Sequence, residues 1–183
     1  MSTLSVDKIQ GQTITDNVKM PAGSILQTVT KHFTDTTTIS DIGTTYTDIN
    51  NGTIVITPRY YDSKILIIPN IAWLIGQSNS VLFLAFRLKR LNAGGTSNVI
   101  NPTVANDGTG GFDYGVSTSG GGTGVGQFQG RHCGHHVDTP GITSAVTYKF
   151  QGISYTSGTN VNINYVGSTT AASSSIVAME ISV

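Results

Sequence analysis

The segment TNVNINYV, Thr159 to Val166, alternates strictly between two kinds of residue. Val161, Ile163 and Tyr165 fall on one side, with Asn160, Asn162 and Asn164 on the other. Successive side chains of an extended chain point to opposite faces, so this is the period of a half-buried β-strand. Just upstream, SAVTYKFQGISY (Ser144 to Tyr155) puts Val146, Tyr148 and Phe150 on one face and Thr147, Lys149 and Gln151 opposite. The intervening TSGT carries turn residues, so the two strands are expected to form a hairpin.

The same grammar extends outward. TYTDINNGTIVITP alternates around Asn51-Gly52, a pair that supplies the positive backbone dihedrals of a tight hairpin turn. Two nearly continuous apolar runs follow, Lys64 to Ile75 and Val81 to Leu91. Such runs fit strands covered on both faces, or a sheet surface that is also a subunit contact. In the second run the odd-numbered face changes from Val81, Phe83 and Ala85 to Arg87 and Lys89, so the strand is expected to leave the core near Arg87. The closing SIVAMEISV sets Val177, Met179, Ile181 and Val183 against Ile176, Ala178, Glu180 and Ser182. No window shows a sustained helical pattern with caps. The expectation is an all-β fold, an antiparallel β-sandwich or jelly roll.

Composition narrows the function. The 183 residues suffice for one domain with a core of its own. Charged residues make up 11%, against roughly 25% in an average soluble domain, so hydroxyls and amides must solvate the surface. A formal net charge of +0 and the lack of a basic stripe argue against a nucleic-acid partner. Arg87, Lys89 and Arg90 read as a solvated strand end. A single cysteine rules out an internal disulfide framework. The N-terminus lacks the basic start and apolar run of a signal peptide, and ILIIPNIAWLI is too short to span a bilayer. A soluble protein made without a secretion signal is expected.

Two segments depart from the strand pattern. Met1 to Gly23 is polar with sparse apolar residues, and reads as an extended arm ahead of a head domain from Ser24 to Val183. The glycine-rich stretch Asn106 to Gly126 has the length of a functional loop. Within it, Phe112 and Tyr114 are candidate receptor contacts, with packing onto the sheet as the alternative.

Catalytic signatures are sparse. There is no G-x-S-x-G elbow and no phosphate loop. The aspartates Asp41, Asp48, Asp62, Asp107 and Asp113 read as turn residues. The exception is GRHCGHHVD, Gly130 to Asp138, which holds three of the four histidines and the only cysteine. Its glycines argue against a helix. In an extended chain His132 and His136 share a face but lie roughly 13 Å apart, too far to ligate one ion. His132, His135 and His136 would hold a divalent transition metal only if the stretch faced a threefold axis of a trimer. Otherwise they are polar loop or strand residues, hydrogen-bonded or solvent-facing, or groups whose titration near pH 6.5 alters a contact surface. Cys133 reads as a small buried thiol.

Five stretches carry a family likeness: LSVDKIQGQ…NVKMPAGSILQTV, TPRYYDSKILIIPNIAW, FRLKRLNAGG, VDTPGITSAVTYKFQ and SSSIVAMEIS. In their order they resemble small virion and tail-fibre proteins of marine bacteriophages. The resemblance covers nearly the whole chain and implies a short N-terminal segment before a β-sandwich head, commonly trimeric. It implies no catalytic residues, and it omits the histidine-rich and glycine-rich stretches. The expected function is a homotrimeric virion appendage head, anchored to other virion proteins by the arm and binding a host surface glycan or protein. Contacts would come from the loops Asn92 to Asn98, Asn106 to Gly126 and Ser168 to Ser174. The alternatives are a capsid decoration or head-fibre protein without host binding, and a small hydrolase using His136 or Asp138.

Overall fold

A computed structural model gives the fold. It describes residues 20–40, 46–75, 84–92, 97–99, 112–114, 128–154, 160–166 and 170–183, with backbone alone at 97–99, 112–114, 128, 166, 170 and 171. Among these residues there are strands and turns and no helix. The first seven strands are β1 (Ile25–Phe33), β2 (Thr37–Ile39), β3 (Thr47–Ile56), β4 (Lys64–Ile75), β5 (Leu84–Leu91), β6 (Ser97–Val99) and β7 (Phe112–Tyr114). They continue as β8 (Phe128–Cys133), β9 (His136–Asp138), β10 (Val146–Ser154), β11 (Val161–Ile163), β12 (Tyr165–Val166), β13 (Thr170–Ala171) and β14 (Ser174–Ile181).

Twelve of the strands form two antiparallel sheets packed face to face, and β12 and β13 pair as a separate two-stranded ribbon. The first runs β1-β14-β4-β11-β2, with β8 and β9 on the far edge of β4. The second runs β3-β10-β5-β6, with β7 also on β5. Between them lies one core. The first sheet contributes Ile65, Ile67, Ile71, Trp73, Ile75, Val161, Ile163 and Ile176, and the second Ile54, Ile56, Phe86, Leu88, Val146, Tyr148 and Phe150. The period-two faces read from Ser144–Tyr155 and from Val161–Ile163 are therefore the buried faces. This is a β-sandwich.

Several local expectations are corrected. The strands around TSGT do not form a hairpin: β10 lies in the second sheet and β11 in the first. Both edges of β10 are occupied, by β3 and β5, so β11 pairs with β4 and β2 instead. Asn51-Gly52 is not a hairpin turn either. It lies within the single strand β3, where the register against β10 shifts between Thr53 and Asp48. Asn51 takes the left-handed conformation (φ 55°), and a Cβ on Gly52 would stand 2.9 Å from Ile49 Cβ, so this pair builds a bulge. Nor does β5 leave the core at Arg87. Its even face stays inside through Leu88, and Arg87 belongs to the outer face, stacked 3.9 Å over the Tyr46 ring.

The alternation in TNVNINYV ends at Asn164, which is buried at φ 58°. Every polar group of this residue is engaged. Its N–H donates to Ala72 O, its carbonyl accepts from Ala172 N, its Nδ2 donates to Asp35 O, and its Oδ1 accepts from Ser174 Oγ. Left-handed backbone suits asparagine better than most residues, and here it turns the amide into the interior.

In β14 the inward face is Ile176, Ala178 and Glu180, continued by Ser182 just beyond the strand. Glu180 is fully buried because the turn before β4 folds over it. The Arg59 N–H (2.6 Å), the Ser63 hydroxyl (2.6 Å) and Gln27 Nε2 (2.5 Å) all donate to its carboxylate. Burial by itself would raise this carboxyl, but these hydrogen bonds and that of the Tyr60 amide outweigh it and hold the group below its ordinary value. At the same end, the Ser182 hydroxyl donates to Met20 O and Gly23 N–H donates to Ser182 O, so the chain from Met20 is tied to the sandwich. The rest of the expected arm lies outside the described residues.

Candidate functional site

The histidine-rich stretch is the strand pair β8–β9. Cys133 pairs with Asn70 and His136 with Ile67, so one register runs through both strands and Gly134–His135 face Pro69–Ile68. Proline has no N–H to give a ladder. The break between β8 and β9 falls where β4 cannot complete the pairing.

Alternation along this strand separates the candidates. His132 and Asp138 are buried and His136 is half-buried, while Cys133, His135 and Val137 are exposed. Cys133 is thus a surface thiol and not a buried one. The His132 ring packs on Phe86 of the opposite sheet, with centroids 4.8 Å apart. Burial pushes its imidazole down to about 4, so it is neutral at pH 7. Burial also lowers His136, with His135 adding to the effect and Asp138 opposing it. Asp138 accepts from Arg90 Nη1 (2.8 Å) and from the Tyr148 hydroxyl (2.9 Å), both in the second sheet. Burial, followed by the charge and hydrogen bond of Asp138, pushes the Tyr148 phenol up. Arg90 is therefore an inter-sheet ion-pair partner rather than a solvated strand end.

Within one chain the three histidines do not converge. Among the described residues no group of three His, Cys, Asp or Glu side chains is placed to hold a metal ion. Asp48 is not a turn residue but lies in β3, where it accepts from Lys149 and Gln151. Phe112 and Tyr114 form β7, whose backbone pairs with Phe86 and Leu84, so part of the glycine-rich stretch is sheet. Its remainder, residues 106–111 and 115–126, lies outside the described residues.

The two outer faces of the sandwich differ in chemistry. That of the second sheet carries ionic and amide pairs: Lys149 with Asp48 at 2.9 Å, and Arg87 with Gln151 at 2.6 Å. That of the first sheet carries an apolar band. Leu66 pairs with both Met179 and Val137, Ile68 pairs with Val177, and Ile181 pairs with Ile25. Ile25 and Val137 are 58% and 48% exposed, and Leu66, Ile68, Val177, Met179 and Ile181 are half-buried. The apolar run from Lys64 was the signal for this surface: in its first half only the odd residues face the core.

On the same sheet lies a cleft of about 380 Å³. Gln129, Gly130 and Arg131 of β8 line one side, Tyr165 and Ala172 the other, and Ala72 and Trp73 of β4 lie between. Arg131 Nη1 donates to Asn70 Oδ1 and to Ser173 O, both at 3.0 Å, which bridges the cleft's rim. A Cβ on Gly130 would lie 2.5 Å from Trp73 Cζ2, so glycine there makes room for the indole. Gly130 and Arg131 open the histidine-rich stretch and Ala172 and Ser173 belong to the Ser168–Ser174 loop, but the cleft itself was not legible, because these segments come together only through the pairing of β4 with β8 and β11.

No protein-family model and no curated protein matches the chain. Among solved structures it is similar to the VP2 subviral particle of infectious bursal disease virus, at 12% identity and a TM-score of 0.42, over 100% of this chain and 42% of that one. It is also similar to a chain of the same virus's Gx strain, at 13% identity and a TM-score of 0.41, over 98% and 42% respectively. The Gt strain gives 13%, 0.42, 100% and 43%. The chain spans less than half the length of these viral chains.

Proposed function

We propose that this protein is a bacteriophage virion structural protein, a trimeric tail-fibre or appendage head that attaches the particle to the host surface. The observation that carries the reading is the apolar band on the outside of the first sheet. A solitary sandwich would leave the partly exposed Leu66, Ile68, Val177 and Met179 and the exposed Val137 against water, while the opposite outer face carries the Lys149–Asp48 ion pair. Contiguous exposed apolar surface of this kind marks an interaction site. Sister copies are its occupants, in line with the resemblance of the five sequence stretches to trimeric virion heads. The segment preceding Met20 attaches the head to a larger virion component.

The role is structural rather than catalytic. The Asp138 carboxylate, the acid nearest the histidines, is already committed to Arg90 and Tyr148. A threefold axis beside the apolar band would gather His135, which is exposed, and not His132, which packs inside against Phe86. Any metal held there would have one imidazole from each chain.

Light scattering on the purified chain at micromolar concentration tests the assembly. A trimeric mass is expected, falling to the monomer in Met179→Lys with an unchanged far-ultraviolet circular dichroism spectrum. A monomeric wild type, or a trimer that survives both Met179→Lys and Val177→Lys, refutes the reading.

A further inference from the structure

We propose that the cleft between β8 and the β12–β13 pair is a saccharide-binding site, the point at which the head grips a host surface glycan. This assigns a ligand class and a location to the attachment reading and rests on it.

Size sets the first limit. Small-molecule sites enclose about 300–1,000 Å³, and this cleft, at about 380 Å³, is at the lower end. A folded protein epitope buries roughly 800 Å² on each partner, which a recess of this size does not supply. Chemistry sets the second limit. A sugar ring presents apolar C–H faces and an edge of hydroxyls, so its site needs aromatic and small apolar surface beside planar donors and acceptors. Here Tyr165, Ala72 and Ala172 supply the first kind, and Gln129 and Arg131 the second. Gln129 and Arg131 are exposed and Tyr165 is half-buried, so these groups are within reach of a ligand from solvent.

Arg131 is also held in place. Its bonds to Asn70 and Ser173 fix the guanidinium at the rim, and an ordered donor loses little freedom on binding. Among the described lining residues there is no carboxylate to favour a cation, and the single guanidinium is a poor match for a phosphate cluster. A cleft repeated on each chain of a trimer suits a particle, where several sites acting together give avidity without new contacts.

Trp73, the only tryptophan of the chain, has its indole in the core beside the cleft, so saturation-transfer NMR is the direct readout of occupancy and tryptophan emission a supporting one. The test titrates the full chain with glucose, galactose, mannose, N-acetylglucosamine and N-acetylneuraminic acid, and with delipidated polysaccharide from the host envelope. Tryptophan emission and saturation-transfer NMR are the readouts. Saturable binding by at least one saccharide is expected. Gln129→Ala and Arg131→Ala should each weaken it by about tenfold or more while the thermal midpoint stays near that of the wild type. Absence of saturable binding to every saccharide overturns the proposal, as does binding that both variants retain. Fluorescently labelled head is added to host cells in parallel. Cell binding that both variants keep sinks the cleft and spares the attachment reading, whereas a wild type that binds no cells removes attachment itself.

Discussion

Acidification should loosen this sandwich in a way set by one side chain. His132 is 6% exposed and packed on Phe86, and burial lowers its imidazole from 6.5 to about 4. In the unfolded chain the same group takes up a proton near 6.5. A base whose folded pKa is depressed stabilises the fold fully above the unfolded value. That contribution is lost as pH falls from 6.5 through about 4, and no more is lost below. At about 1.4 kcal/mol for each tenfold change in proton affinity, the full loss is on the order of 3 kcal/mol, most of it gone by pH 4.5. Urea unfolding followed by Trp73 emission, at one fixed protein concentration so that assembly does not shift the midpoint, measures it between pH 7.5 and 4.5. His132→Phe keeps a ring against Phe86 and has no proton to gain. Its profile should be flatter by most of that amount, with the residue left to half-buried His136. Identical pH slopes in wild type and variant would refute the burial argument.

Two further substitutions examine the buried polar hubs. Glu180→Gln should cost about 1.5–3 kcal/mol in urea unfolding at pH 7, since charge-assisted bonds from Ser63, Gln27 and the Arg59 amide become neutral ones. The folded carboxyl lies below its ordinary 4.5, so its stabilisation is present above that value and fades as pH falls through the folded pKa; the variant should lack this acid limb. Asn164→Ala should destabilise more than Asn164→Gly, by about 1 kcal/mol, because alanine adds left-handed backbone strain to the loss of the Ser174 and Asp35 bonds that both variants share. Equal stability of Asn164→Gly and wild type would show that those bonds contribute nothing.

Period-two alternation located β10, β11 and β14 but did not choose all their faces or partners, and the reason is physical. Where one side was plainly apolar, as with Val146, Tyr148 and Phe150, hydrophobic burial decided and the inward face was legible. Where both sides carried some apolar residues, distant groups decided. Glu180 goes inward because the Arg59–Ser63 turn, more than a hundred residues away in sequence, arrives with donors, and its apolar neighbours Val177 and Met179 are turned outward as a result. The histidine stretch follows the same logic. Its extended form and the shared face of His132 and His136 follow from local sequence. Which face is inside depends on Phe86, Arg90 and Tyr148 from the other sheet. Misplaced pairings have a similar origin: adjacency in sequence suggested a hairpin, but β10 had already spent both edges on β3 and β5. The polar interior and the apolar exterior are therefore one arrangement. On the first sheet the residues that alternate with buried Glu180 and Asp138, namely Val177, Met179 and Val137, line up with Leu66 and Ile68 into the apolar band.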